Sequence, residues 1–328
     1  MDNRRSTGEA SLPFVVVAPP GQACLASYAQ ERGAEIHEQL LTHGAVLFRD
    51  FAVREVGDFE AFLDHVSRDR MSYLYRSTPR TAVGKQVFTA TEYPPKQEIL
   101  LHNENAYQRS WPLRLAFHCV KAASSGGQTT IADMRRVTAA IGPELLDRFE
   151  RLQVQYVRHY REHIDIPWQT VFQTQSKAEV AQFCARHDLE HEWLANGTLR
   201  TAQTCQGTAR HPVTGERTFF NQAHLFHSSS LGAVAESAMV KQFGATRLPR
   251  NAFFGDGSAI APADLAYIRD TFQREACDVQ WRPGDVVLLD NMRVAHGRRP
   301  FAGERRVLTA LLDPSSGAEC LSAREHKG

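Results

Sequence analysis

The 328-residue chain is 42% hydrophobic and 23% charged, the proportions of a globular protein rather than a disordered, fibrous or membrane-embedded one. Its 38 Lys and Arg nearly cancel 37 Asp and Glu, and no long run of either sign occurs, which argues against a nucleic-acid partner. Six scattered cysteines without a Cys-x-x-Cys spacing read as reduced thiols, and a chain of this length needs neither disulfides nor a structural metal to stay folded.

The first eleven residues are polar, and Leu12-Pro13 then leads into Phe14-Val15-Val16-Val17, a β-branched run that predicts a strand. The apolar stretch 14–18 is too short for a secretion signal and no run of about 18 apolar residues follows, so the expected location is the cytoplasm, with no membrane partner. A helix ending before Gly44, the strand Ala45-Val46-Leu47-Phe48-Arg49 and a helix carrying Phe59, Phe62, Leu63 and Val66 at 3.6-residue spacing come next. From Leu113 the period changes to two: Leu113, Leu115, Phe117 and Cys119 share a strand face, and Gly126-Gly127 leads into a second strand over 129–132. Residues 133–280 read as helix-rich insertions, with a capping box from Ser176 to Glu179 and a helix through Leu265, Ile268 and Phe272. Arg282-Pro283-Gly284-Asp285 is a turn into an apolar strand over 286–289, and a strand over 307–312 returns. No linker or repeat divides the chain. We therefore expect one domain with its core at about 12–313, of the α+β class, a mainly β barrel or sandwich under helical cover.

Chemistry enters with a His-x-acid spacing. Strand side chains two apart share a face, so such a pair with one distant His sets three ligands on one face of an octahedral iron and leaves positions open. The spacing alone is weak, because this composition gives roughly one or two such pairs by chance. Two occur, His102-Asn103-Glu104 and His163-Ile164-Asp165, and spacing does not choose between them.

The flanking residues do. Thr91-Glu92-Tyr93-Pro94 through His102-Asn103-Glu104-Asn105, then Trp111-Pro112-Leu113-Arg114 and Gly126-Gly127-Gln128-Thr129, resemble the taurine-dioxygenase (TauD/TfdA) and clavaminate-synthase-like superfamily, closest to its SyrP-like branch of amino-acid hydroxylases. Trp281-Arg282-Pro283-Gly284-Asp285, Asp290-Asn291, His296-Gly297-Arg298 and Gly303-Glu304-Arg305-Arg306 resemble the same superfamily's C-terminal motif. The resemblance implies a double-stranded β-helix (jelly roll) with helical insertions, and Fe(II) held by His102, Glu104 and His296. Asp is usual at the carboxylate position, but clavaminate-synthase-like members use Glu. Related halogenases have a small residue there, so Glu104 implies oxygenation. The segment from Tyr160 to Trp168 resembles the mobile cover of such sites, which makes His163 a poor ligand; His224 and His227 are expected near the pocket but off the metal.

The resemblance also implies a 2-oxoglutarate cosubstrate whose distal carboxylate meets Thr129 and an Arg at the start of the last strand. That Arg is Arg305, with Arg306 the alternative if the register shifts by one. The second Arg with which the taurine branch grips a sulfonate is absent, Thr309 or Ala310 standing there. The implied substrate is instead a small molecule, an amino acid or its derivative, free or on a carrier protein, hydroxylated in natural-product biosynthesis. Desaturation or ring formation would use the same ligands, and a non-catalytic binding protein on the same fold is the reading from another class. Candidate substrate contacts are Asn105, Asn221, Glu92 and Arg80; no oligomeric state is implied.

Overall fold

The computed structural model describes residues 12–71, 80–161 and 164–317. Two facing sheets form its centre. The larger has seven strands, in the order Phe14–Val17, Ala45–Arg49, Val286–Asp290, Ser110–Lys121, Arg306–Ser316, Val87–Thr89 and Ala82–Gly84. The smaller has four, Ala276–Val279, Thr129–Asp133, Val294–Arg298 and Ile99–His102. Apart from the parallel pairing of Phe14–Val17 with Ala45–Arg49, the neighbouring strands of both sheets run antiparallel. This is the expected jelly-roll arrangement.

Alternation along the strands builds the layers. Leu47, Leu115, Phe117, Val287, Leu289 and Leu311 point from the large sheet toward Ile131, Val279 and Val294 of the small one, making the inner core. Val46, Phe48, Val286, Leu288, Leu308 and Ala310 point the other way, against Leu40, Phe59, Phe62 and Leu63 of the helices Leu25–His43 and Val56–Val66. Gly44, at φ 78°, ends the first helix as the sequence predicts. The predicted strands at 129–132, 286–289 and 307–312 all form, the last running on to Ser316 and pairing along most of Ser110–Lys121.

The insertion departs from its helix-rich expectation. Besides the helices Met134–Ile141, Pro143–Leu152, Lys177–Arg186 and Pro262–Arg274 it contains a four-stranded sheet, Glu190–Trp193, Leu199–Cys205, Val154–Tyr160 and Arg250–Phe254. Arg158, His159, Thr201 and Gln203 are buried in its strands, so no apolar–polar alternation marks them. The capping box half-forms: Ser176 Oγ accepts the Glu179 N–H at 3.3 Å, while the Glu179 carboxylate accepts from Thr174 Oγ1. This layer packs Val154, Tyr156, Phe219 and Phe254 against the outer side of the small sheet at Leu101, Ala132 and Ala295. Among the described residues no helix is long and apolar enough to cross a membrane.

Candidate metal centre

His102 and His296 are cross-strand partners on the adjacent strands Ile99–His102 and Val294–Arg298, with ring centroids 4.5 Å apart. The approach depends on Gly297, because a Cβ there would lie 2.5 Å from the Ile99 carbonyl oxygen. Glu104 does not lie on the strand: Ile99–His102 ends two residues earlier, and the carboxylate projects from the turn that follows. It converges nonetheless. Glu104 Oε2 is 3.6 Å from His296 Nε2 and 4.0 Å from His102 Nε2, and the three donor atoms lie within 4.8 Å of one another.

Protonation suits ligation. The His102 Nδ1–H donates to the Leu100 carbonyl at 2.8 Å, which leaves the Nε2 lone pair facing Glu104. Burial, reinforced by His296, pushes the His102 imidazole down to about 3, so it is neutral. Burial opposes ionisation of Glu104, but the Arg80 guanidinium, with Nη2 at 2.9 Å, favours the charged form and holds the carboxyl well below its usual range. Two imidazoles and one ionised carboxylate are the donor set of a facial iron site.

Two chambers meet at this cluster. The smaller is lined by His102, His296, Phe117, Thr129, Arg298 and Arg305. Arg305, which immediately precedes the last strand, lines this chamber, whereas Arg306, the first residue of that strand, is exposed. Gly127 makes room for it: a Cβ there would meet Arg305 Cδ at 3.1 Å, its φ is 73°, and its carbonyl accepts from Arg305 Nε at 2.9 Å. Thr129 Oγ1 takes the indole N–H of Trp281 at 3.0 Å. No described carboxylate pairs with Arg305 or with Arg298, whose guanidinium binds the carbonyls of Tyr93, Pro94 and Gln97. Burial, with Arg298 adding to it, brings Arg305 down to about 10.

The larger chamber, about 870 Å³, has His102, Glu104 and Arg80 on its wall, with an apolar side of Ile164, Ile166, Leu225, Phe226 and Leu248. Among the substrate candidates only Arg80 lines it, and that Arg is committed to Glu104. Glu92 is exposed and accepts from Thr81 and Thr89. Asn221 is buried with its amide engaged by Gly207 O and the Ala223 N–H, and Asn105 is buried in the turn after Glu104 at φ 57°. Sequence reasoning missed Gln222 and Arg250, which do line the chamber. A polar residue beside an assigned one gives too little signal to find.

His163 lies outside the described residues. Its pair-mate Asp165 is held by Arg250 and, at 3.4 Å, by Arg158. His224 Nε2–H donates to Leu101 O at 2.9 Å and the ring stacks on Phe272; burial lowers it to about 4. A folded value below the ordinary 6.5 means the unfolded chain takes the proton first as pH falls, so this stabilisation is present above about 6.5 and is lost toward 4. The melting temperature of His224→Gln is expected to drop less than wild type between pH 7 and pH 5; an equal drop would rule His224 out as a contributor.

Similarity to known proteins places the chain in a family. Residues 20–312 match the model of the family described as taurine catabolism dioxygenase TauD, TfdA family. The dapdiamide synthesis protein DdaC of Enterobacter agglomerans is 38% identical over 279 residues, 85% of each chain. A clavaminate synthase-like protein of Arabidopsis thaliana is 33% identical over 280 residues, 82% of this chain and 81% of its own. PvcB from Pseudomonas aeruginosa shares the fold at 17% identity, with a TM-score of 0.52 over 94% of this chain and 88% of that one. A taurine dioxygenase from Burkholderia xenovorans does so at 14% identity, TM-score 0.53, over 93% and 89%. With a family model spanning most of its length and relatives above 30% identity over four fifths of it, the chain belongs to the TauD/TfdA family of dioxygenases.

Proposed function

We propose that this chain is an Fe(II)- and 2-oxoglutarate-dependent oxygenase acting on an amino-acid-derived substrate, with His102, Glu104 and His296 as metal ligands and Arg305 and Thr129 holding the distal carboxylate of the cosubstrate. The observation that carries the reading is the convergence of three donor atoms where two chambers meet, one lined by the half-buried Arg305, with which no described carboxylate pairs, and one large enough for an organic substrate. When bound, iron with 2-oxoglutarate and dioxygen supplies the oxidation of a substrate C–H bond, with release of succinate and carbon dioxide.

The chain's own residues bind and orient. Arg80 keeps Glu104 ionised, Leu100 O fixes the His102 tautomer, and Phe117 packs 5.3 Å from the His296 ring. The apolar wall of the large chamber excludes water from the reacting bond. A volume of about 870 Å³ is near the top of the range of about 300–1,000 Å³ for drug-sized ligands. That is more than a free amino acid fills, and with the name of DdaC it supports an extended amino-acid derivative, such as one carried on a carrier protein, in natural-product biosynthesis.

Anaerobic addition of Fe(II) and 2-oxoglutarate to the apoprotein is expected to produce a weak visible charge-transfer band, and folded protein that gives none would remove the cosubstrate assignment. Succinate release should then rise more with aminoacyl amides and pantetheine thioesters than with free amino acids; equal stimulation would remove the extended-substrate reading.

A further inference from the structure

Glu104 lies past the end of its strand, so the sheet ladder does not hold it; side chains hold the segment instead. From the inserted layer, His224 donates to Leu101 O, Gln222 Nε2 to Asn103 O at 2.7 Å, and Gln206 Nε2 to Ala106 O and Gln108 O. From the other side, fully buried Asn291 accepts the Glu104 N–H on Oδ1 at 2.7 Å. Its Nδ2 donates to Glu104 O at 3.0 Å and Pro112 O at 2.8 Å. Asn103 Nδ2 closes the loop on Asn291 O at 2.6 Å.

Buried backbone groups need partners wherever they occur, yet this pattern is narrower than that requirement. The Asn291 amide binds both the N–H and the C=O of one residue, as a neighbouring strand would, and that residue is Glu104. Asn291 also precedes His296 by five residues, and its own N–H donates to Leu113 O of the large sheet at 2.9 Å. One side chain thus ties the peptide of Glu104 to the segment that carries His296. Gln222 grips the same turn one residue earlier, from the wall of the large chamber.

We propose that Asn291 and Gln222 are positioning residues for the carboxylate ligand, acting through the backbone of the 103–105 turn and holding Glu104 in register with His296. The proposal rests on the metal-ligand reading above. Its test is anaerobic titration of Co(II) into the full chain, followed by the visible absorption of the bound ion, beside thermal melting of the metal-free protein. Asn291→Asp keeps the acceptor for the Glu104 N–H but turns acceptors toward the carbonyls of Glu104 and Pro112. Gln222→Leu removes the second grip. Both are expected to weaken Co(II) binding by about 10- to 100-fold, as for other partners that orient metal ligands, and to shift the absorption band. Variants that melt like wild type and bind Co(II) with unchanged affinity and spectrum would overturn the proposal. If Asn291→Asp melts early, Gln222→Leu decides the matter by the same two readings. A wild-type band that survives His102→Ala would overturn the metal reading and this inference with it, an outcome visible without either positioning variant.

Discussion

Replacing His102 or His296 by Ala is expected to abolish turnover and the anaerobic charge-transfer band together. Changes to residues that merely orient metal ligands cost about 10–100-fold in affinity or activity, so loss of a ligand should exceed the upper end of that range. The imidazoles face each other across adjacent strands, and each Nε2 faces Glu104 Oε2. No other described group of three His, Cys, Asp or Glu side chains comes together in this way. His163→Ala serves as the control and should keep the band. Asp165, the other half of that competing pair, is engaged by Arg250 and Arg158 and has no described pair of His, Cys, Asp or Glu side chains converging with it. Loss of the band in His163→Ala with retention in His102→Ala would reverse the assignment.

Those two His-x-acid pairs show how far spacing alone can reach. Their spacing is identical, so the choice came from flanking blocks, and each block has a physical counterpart. Gly297 lets the His296 strand pass close to Ile99 O, and Gly127 makes room for the stem of Arg305. The core strands and the two early helices were legible because each buries one face, so apolar residues recur with the period of the element. The inserted sheet was not, because Arg158, His159, Thr201 and Gln203 are buried in it. Glu104 converges with the two His side chains even though the premise that placed it there does not hold. The His-x-acid spacing presupposes a strand through residue 104, whereas the strand stops at His102 and side-chain amides hold the turn. Asn291 stood within a recognised motif without a role, since a side chain's bond to a distant backbone leaves no periodic trace. Asn105 and Asn221 were offered for the substrate, yet the first is in a left-handed turn and the second bonds backbone.

Arg305→Gln is expected to raise the concentration of 2-oxoglutarate needed for half-maximal turnover by about 30-fold or more, while Arg306→Gln leaves it near wild type. Truncating one partner of a buried, hydrogen-bonded charge pair costs about 2–5 kcal/mol, and about 2 kcal/mol corresponds to that lower bound. Arg305 is set for such a pair. Its Nε is spent on Gly127 O, it lines the chamber that also holds His102, His296 and Thr129, and no described carboxylate neutralises it. Burial lowers its pKa only to about 10, so the guanidinium remains charged at neutral pH. Arg298, two residues past His296, lies over the same Phe301 ring, at 4.9 Å against 5.8 Å for Arg305. Two cations beside one ring repel each other, and an anion between the chamber walls relieves that repulsion. The effect should therefore fall on 2-oxoglutarate and spare Fe(II): Arg305→Gln is expected to bind Co(II) as wild type does. If Arg305→Gln saturates with 2-oxoglutarate at the wild-type concentration, the small chamber is not the cosubstrate site, and the position of Arg305 must be explained by folding alone.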